Sequence, residues 1–300
     1  MRVAIAGGTG FIGSALTKAL LERNDEVWII SRQSLKEQSK QSGITQITWS
    51  ELDDAPALLE GIDAIVNLTG ESINQRWTPA AKQRVMDSRL TAAARISKLV
   101  KSLKYKPPLV VNASGISAYG ISADSIFDET SPTKVTDFLS EVVQSWEQAA
   151  DGIPAERLVK LRVGVVLDKK DGAFPLMALP YRLFGGGRVG SGKQWLSWIH
   201  LEDMIRLILY ILDNKQITGP VNGSSPDPVT NDVFGRAIGK AMGRPHWFPV
   251  PAFLMRAFFG EMSTLLLDGQ RALPRKALEH GFSFRYPTVE SAMNELVGRG

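Results

Sequence analysis

A seven-residue segment near the start of the chain, Gly7-Gly8-Thr9-Gly10-Phe11-Ile12-Gly13, has the composition and spacing of an anion-binding turn. It follows an apolar run over residues 3–6 and precedes a helix-like stretch over residues 14–21. Glycines allow the backbone to turn sharply, and the first N–H groups of the following helix are then free to bind an anion. This order predicts a cradle for a dinucleotide pyrophosphate, formed by Gly7, Thr9, Gly10, Phe11, Ile12 and Gly13.

The residues after the second predicted strand indicate which dinucleotide is bound. Ser31 and Arg32 follow that strand, about twenty residues beyond the glycines, where an acidic residue would bind the ribose 2′-OH of NAD. Asp25 and Glu26 stand at the opposite end of the strand. Arg32 offers a planar cation that suits a 2′-phosphate, although a solvated surface arginine is the alternative interpretation. We therefore predict NADP(H) in preference to NAD(H).

Apolar runs alternate with helical patterns through the first half of the chain. Near-continuous apolar runs are typical of parallel strands that are covered on both faces. The pattern predicts an α/β fold with a Rossmann-type doubly wound parallel sheet, whose ligands bind beyond the carboxyl ends of the strands. The predicted strands cover residues 3–6, 27–30, 44–49, 64–68, 109–113 and 159–166, and the two longest predicted helices cover residues 79–103 and 137–150.

The pattern becomes less regular beyond Leu167. We expect a dinucleotide-binding domain over residues 1–167, to which residues 197–222 return, and a smaller, mostly helical substrate-covering domain over residues 168–300. The segment 187–193 resembles a phosphate loop of nucleotide triphosphatases, but Gln194 stands where that loop needs a serine or threonine. The apolar pattern of residues 253–259, interrupted by one arginine, predicts an amphipathic helix that covers the cleft or joins a partner subunit.

The composition of the 300 residues excludes several classes of protein. The net charge is +4, but the charges of both signs are interleaved, so we expect no nucleic-acid partner. The absence of cysteine excludes disulfides and thiolate nucleophiles. No apolar run reaches the ~18 residues of a membrane span, and the N-terminus leads directly into a strand, so we predict a cytoplasmic protein. We also expect a monomer or a homodimer. His200, beside Glu202 and Asp203, is better explained by helix capping than by metal binding, so we predict no metal site.

These motifs resemble those of the extended short-chain dehydrogenases/reductases, the group of nucleotide-sugar epimerases and dehydratases. Besides the glycine turn, Asn67-Leu68-Thr69-Gly70, residues 114–120, Leu161-Arg162 and residues 199–203 resemble family motifs. A closer resemblance is to an atypical subgroup labelled "epimerase family protein", which also carries an old cell-division-inhibitor name. Its marks span the whole chain and include Arg76-Trp77-Thr78, Asp137-Phe138-Leu139 and Trp146-Glu147. Together with the shared sheet edge, the resemblance implies that the cofactor also contacts Leu68, Thr69, Gly70, Glu71, Ala113, Ser114 and Arg162.

The resemblance also shows what this chain lacks. The parent family exchanges a proton through a Tyr-x-x-x-Lys helix, in which the lysine lowers the tyrosine pKa. Counting from Glu147 places the lysine position at Val143 and the tyrosine position at Leu139, and neither side chain transfers a proton. The family's serine position falls at Gly115, beside Ser114. Tyr119 and Ser114 are then the candidate catalytic residues, with packing under the fifth strand as the alternative role of Tyr119.

Four residues around the longest predicted helix, with Tyr119, are candidates for substrate binding. Lys82 and Arg89 are seven residues apart, so they share one helix face, and Arg76 and Trp77 precede that helix. They are suited to bind an anionic substrate or an oxyanion, although an ordinary charged face is the alternative. The sequence thus predicts an NADP(H)-dependent oxidoreductase or epimerase that acts on a small, anionic or sugar-like substrate. The alternative is a non-catalytic NADP(H)-binding redox sensor or regulatory protein.

Overall fold

The computed structural model describes residues 1–33 and 43–298, and its centre is a parallel sheet. The strands of this part of the chain are β1 (Arg2–Ala6), β2 (Glu26–Ser31), β3 (Ile44–Thr48), β4 (Ala64–Asn67), β5 (Leu109–Gly115), β6 (Ile126–Phe127), β7 (Arg157–Val163), β8 (Val165–Leu167), β9 (Trp195–Leu196), β10 (Trp198–His200), β11 (Gly219–Gly223), β12 (Val229–Thr230) and β13 (Arg271–Ala272). Seven of them form one sheet in the order β11-β7-β5-β4-β1-β2-β3, and every neighbouring pair is parallel.

Eleven helices in the described residues cover both faces of this sheet or build the C-terminal part. They are α1 (Phe11–Glu22), α2 (Trp49–Asp54), α3 (Pro79–Ser102), α4 (Phe138–Asp151), α5 (Phe174–Arg182), α6 (Leu201–Asp213), α7 (Asn231–Met242), α8 (Ala252–Phe259), α9 (Thr264–Leu267), α10 (Arg275–Glu279) and α11 (Val289–Val297). Side chains of α1 and α6 pack on one face of the sheet, and side chains of α2, α3 and α4 pack on the other. This confirms the predicted doubly wound α/β fold, with a mostly helical C-terminal part.

Local signals explain where the two helices nearest the cavity begin. Thr78 accepts a hydrogen bond from the backbone N–H of Ala81, and Pro79 occupies the first position of α3. Asp137 and Ser140 form a capping box at the start of α4. The predicted starts of both helices therefore lie within a residue of the observed ones.

Two predicted strand boundaries are wrong. The single strand predicted over residues 159–166 is divided at Gly164 into β7 and β8, and β8 pairs with β10 instead of the main sheet. A Cβ atom on Gly164 would lie 2.7 Å from the carbonyl oxygen of Ser197, so the chain passes another backbone closely there. Trp49 begins α2 instead of ending β3, because Thr48 caps that helix.

The C-terminal part has its own apolar core. Phe174 of α5, Phe234 of α7 and Met293 of α11 pack around Trp198. Residues 219–223 return to the main sheet as its edge strand, β11. The predicted division into two domains remains a prediction. Within residues 1–33 and 43–298, no helix has the length and apolar character needed to cross a membrane.

Candidate functional site

The candidate site lies where the strand order of the sheet reverses. Connections from β1 run outward to β2 and β3 on one side and to β4 and β5 on the other, which opens a crevice beyond the ends of β1 and β4. Gly7 stands at this point with φ +83, and a Cβ atom on it would lie 3.0 Å from the carbonyl of Leu68. Only glycine allows the two strand ends to approach this closely.

The glycine turn joins β1 to α1 and leaves a free helix terminus. The N–H of Gly10 donates to the carbonyl of Gly7 at 3.0 Å, which closes the turn. Gly10 is the N-cap of α1, and no side chain in the described part of the chain caps that terminus. The first N–H groups of α1 are therefore available to an anion, and the helix dipole favours its negative charge.

A cavity of about 470 Å³ opens from this turn. Its size lies within the range of small-molecule sites. It is lined by Gly7, Gly10, Phe11, Ile12, Gly13, Leu68, Gly70, Ser72, Ile73, Arg89, Ala113, Ser114, Gly115, Ser117, Leu139, Val142, Val143, Trp146, Val163 and Gly164. Nine of the predicted cofactor-binding residues are in this set. The other six are Thr9, Ser31, Arg32, Thr69, Glu71 and Arg162.

Three of these six lie close to the crevice. Ser31 ends β2, and Arg32 follows it as an exposed residue. Thr69 follows β4 and has a buried hydroxyl with no hydrogen-bond partner among the described residues. An unpartnered buried hydroxyl is costly unless a ligand or water binds it. Thr69 therefore marks a position where a bound molecule would complete the hydrogen bonding.

Arg89 is the only predicted substrate-binding residue among those that line the cavity. Its guanidinium donates to the backbone carbonyls of Glu71 at 3.1 Å and Val85 at 3.0 Å. Its Cζ atom lies 5.1 Å from the centre of the Trp146 ring. Burial lowers the pKa of Arg89 to about 10, so the side chain remains cationic at neutral pH. Arg89 thus brings a fixed positive charge to the wall of the cavity.

The other residues around α3 that are predicted to bind substrate do not line this cavity. Lys82 lines a second groove of about 370 Å³ at the starts of α3 and α4, where it forms an ion pair with Glu261. Trp77 is buried, donates to the carbonyl of Ile73 at 3.0 Å and packs edge-on against Phe138. Arg76 is exposed. The structure therefore separates these three residues from Arg89.

A buried ion pair supports the wall of the cavity behind Ser114. Arg162, at the end of β7, donates to both carboxylate oxygens of Glu147 at 2.8 and 2.9 Å. The Ser114 hydroxyl donates to the same carboxylate at 2.6 Å. Burial alone would raise the pKa of Glu147, but the hydrogen bonds from Arg162 and Ser114 hold it below its ordinary value. Glu147 is therefore an anion, and it orients Ser114.

Tyr119 has an interior environment that differs from the substrate-facing one predicted. Its side chain is 2% exposed, stacks on Phe127, and donates to the amide oxygen of Asn222 at 2.8 Å. The Arg162 guanidinium lies over its ring at 4.9 Å. Burial raises the pKa of Tyr119 to about 12. The geometry corresponds to the alternative role, packing under the fifth strand.

Apolar side chains occupy the positions that the parent family uses for proton transfer. Leu139 and Val143, four residues apart on α4, both line the cavity, as does Val142 between them. Val143 also packs close to Gly115, where a Cβ atom would be 3.1 Å from the valine methyl. The two positions at which the parent family has its tyrosine and lysine therefore lie on the cavity wall in this chain.

The Glu147–Arg162 ion pair behind the cavity and His200 at the start of α6 differ in how far the sequence could predict their contacts. The Glu147–Arg162 ion pair was not predicted, because a charge in a helix and another at a strand end show no sign of their contact until the fold brings them together. His200 is the N-cap of α6, and its imidazole accepts from the N–H of Glu202 at 3.2 Å. Within the described ranges, no group of three or more potential ligands is placed to hold a metal ion.

Comparison with known proteins gives concordant matches. A family model described as "NAD dependent epimerase/dehydratase family" matches residues 3–139, and one described as a domain of unknown function, DUF1731, matches residues 250–296. Epimerase family protein YfhF of Bacillus subtilis is 42% identical over 99% of this chain and 98% of its own. Epimerase family protein SDR39U1 of Mus musculus is 38% identical over 99% of this chain and 100% of its own. The crystal structure of human SDR39U1 (isoform 2) with NADPH superposes with a TM-score of 0.91, at 37% identity and 99% coverage of both chains.

Proposed function

Because this chain belongs to the NAD-dependent epimerase/dehydratase family, among the relatives called epimerase family proteins, we propose that it binds NADP(H) in the cavity at the end of β1 and transfers hydride to or from a small molecule. The observation that carries the proposal is the uncapped start of α1 beside the close contact between Gly7 and Leu68. This geometry suits a pyrophosphate, since backbone N–H groups and the helix dipole face the place where the anion would lie.

The residues around the crevice fit the remainder of a dinucleotide. The unpartnered hydroxyl of Thr69 and the indole N–H of Trp146, which also has no partner among the described residues, offer hydrogen-bonding groups beside the cavity. Ser114 uses its proton on Glu147, so its oxygen is left to accept a hydrogen bond from a ligand hydroxyl or amide. When bound, the cofactor supplies a hydride, and the protein supplies orientation and electrostatics.

A second candidate function, a non-catalytic NADP(H)-binding sensor, is favoured by one observation. Leu139 and Val143 line the cavity where the parent family places its proton-transfer pair. Saturable NADPH binding without oxidation of NADPH by any carbonyl or conjugated acceptor would favour the sensor. Turnover with one of these acceptors would favour the enzyme.

Preference for the 2′-phosphate is tested by Arg32→Glu. Arg32 follows β2 and is exposed, so reversing its charge leaves the core intact. We expect NADPH binding to weaken about a hundredfold, because an attraction for phosphate becomes a repulsion. NADH binding should change less than about threefold, which is the range of surface substitutions. Titrations of both nucleotides into wild type and variant make the comparison, and equal losses for the two would refute the assignment.

The role of Tyr119 is tested by Tyr119→Phe. Removing the hydroxyl leaves the buried amide oxygen of Asn222 without its donor, so we expect a loss of about 1–3 kcal/mol in the free energy of unfolding. NADPH affinity should not change, because Tyr119 does not line the cavity. Urea denaturation and NADPH titration provide the two readouts. Unchanged stability combined with loss of NADPH turnover would instead make Tyr119 the proton donor.

A further inference from the structure

The cavity wall is almost free of groups that exchange protons. Among the described residues that line it, Arg89 is the one titratable side chain. Its Nη1 donates to the backbone carbonyls of Glu71 and Val85, and the side chain remains protonated at neutral pH with a pKa of about 10. Arg89 is therefore a fixed cation, and it does not serve as an acid or a base near neutral pH.

The hydroxyl groups of the wall do not replace the missing acid. Ser114 already donates its proton to the Glu147 carboxylate at 2.6 Å. Ser72 accepts from the N–H of Asn74 near the exposed rim, and Ser117 is a plain alcohol without a neighbouring base in the cavity lining. A serine without such a base is a weak nucleophile and a weaker acid. The wall thus offers hydrogen bonds but not a proton.

This limits the substrates that can accept a hydride in the cavity. Reduction of an isolated carbonyl produces an alkoxide, a base about as strong as hydroxide, so a proton must arrive in the same step. Reduction of a quinone instead produces a phenolate, whose conjugate acid has a pKa of about 10, as in tyrosine. The phenolate is a much weaker base than the alkoxide and does not need a proton from the wall.

We propose that the cavity, once it holds NADPH, reduces a quinone, a planar conjugated cyclic diketone, by direct hydride transfer. This inference rests on the proposed function, the binding of NADP(H). The quinone gains two electrons and one hydrogen from the dihydronicotinamide, whose C–H bond breaks, and a new O–H bond forms on one quinone oxygen. The other oxygen becomes a phenolate and takes its proton from water. The balance is one NADPH, one quinone and one proton giving NADP⁺ and one hydroquinone.

The lining of the cavity suits such a ring. Leu139, Val142 and Val143 of α4, with Val163 of β7, form an apolar wall that can contact the face of a planar ring. The same cavity carries the Arg89 cation, which favours a product that is transiently anionic. An apolar wall with a single fixed cation therefore matches a neutral, flat substrate that is reduced to an anion.

The test begins with calorimetry on the full chain. NADPH is titrated first, and menadione is then titrated into protein saturated with NADP⁺, which measures quinone binding without turnover. Val143→Thr places a hydroxyl on the apolar wall, and we expect menadione binding to weaken about tenfold, a larger loss than that of NADPH binding. Val135→Thr is the matched control at an exposed valine and should leave both affinities unchanged. Val143→Ala is the second variant if the threonine variant fails to fold.

Turnover is measured separately, by the loss of NADPH absorbance without oxygen. Menadione should oxidise bound NADPH at least about tenfold faster than cyclohexanone does, with a rate that is flat between about pH 6 and pH 8, since no group of the wall titrates there. Equal or faster reduction of cyclohexanone overturns the inference. NADPH binding without oxidation by menadione also overturns it, while the proposed binding of NADP(H) stands. Failure to bind NADPH overturns the proposed function and the inference together.

Discussion

Replacing Gly13 with alanine should abolish NADPH binding and reduce stability. A Cβ atom on Gly13 would lie 2.1 Å from the carbonyl oxygen of Gly7 and 2.8 Å from the Cα atom of Gly8. Both contacts are with backbone, which cannot rotate away, so the turn must open. We expect the free energy of unfolding to fall by about 1–3 kcal/mol or more, as in overpacked cores, and NADPH affinity to fall at least about a hundredfold.

The matched control for this substitution is Gly10→Ala in the same turn. Gly10 has extended backbone angles, and the nearest atom to its added Cβ would be the Gly7 carbonyl oxygen at 3.3 Å, a contact that a small shift relieves. Thermal unfolding should therefore distinguish the two variants, with Gly10→Ala close to wild type. Wild-type stability and NADPH affinity in Gly13→Ala would show that α1 does not pack this closely against the glycine turn.

Replacing Arg162 with methionine should give the largest loss of stability among single changes at the site. Arg162 is 4% exposed and supplies two hydrogen bonds to the Glu147 carboxylate. Its removal leaves a buried carboxylate whose remaining partners are the Ser114 hydroxyl at 2.6 Å and the Lys160 ammonium at 3.8 Å. Breaking a buried ion pair from one side costs about 3–5 kcal/mol. Urea denaturation at neutral pH measures the loss, and Arg275→Met, at an exposed ion pair, is the control that should remain close to wild type.

The pH dependence of this loss has a definite sign. In the wild type, the pKa of Glu147 is held below its ordinary value, so its contribution to stability is present above the unfolded pKa and is lost as the pH falls through the folded one. Without Arg162, burial should raise the folded pKa of Glu147 above the unfolded value, and its contribution is then lost as the pH rises. The stability difference between wild type and Arg162→Met should therefore widen from about pH 4 to pH 7.

A second substitution tests whether the buried charge is the cause. In Arg162→Met with Glu147→Gln, the carboxylate that has lost its arginine is also removed, so we expect a large part of the loss to be recovered. A double variant that is as unstable as the sum of the two single variants would contradict the coupling. In that case the instability would come from the lost packing of Arg162 against Tyr119, which is itself hydrogen-bonded to Asn222.

The fold, and the glycine turn from which the cavity opens, could both be predicted from the sequence. Strands of a buried parallel sheet are nearly continuous apolar runs, and Gly7–Gly13 must follow the first of them, so the order of β1, turn and α1 can be read directly. The boundary errors at Trp49 and Gly164 have a common cause. Each depends on a contact, a helix cap in one case and a distant backbone in the other, that a run of apolar residues does not contain.

The side chains of the site were harder to place than its backbone. Ser114 lies in β5 and Tyr119 follows that strand, but the direction of each hydroxyl depends on partners far away in sequence, Glu147 and Asn222. Lys82 and Arg89 do lie on the same helix, yet seven residues are two turns, about 10 Å, and this distance separates a groove from the cavity. Helical periodicity in the sequence determines which face of a helix a residue occupies, but it does not show which other element packs against that face.

Binding of NADP(H) by the glycine turn and the uncapped start of α1 is tested most directly by calorimetric titration of the wild-type protein. We expect NADPH to bind saturably with one site per chain, about tenfold or more tighter than NADH, since a phosphate contact of the Arg32 kind adds a charge-assisted hydrogen bond. A protein that is folded by thermal unfolding and gives no saturable heat with either nucleotide would contradict the account.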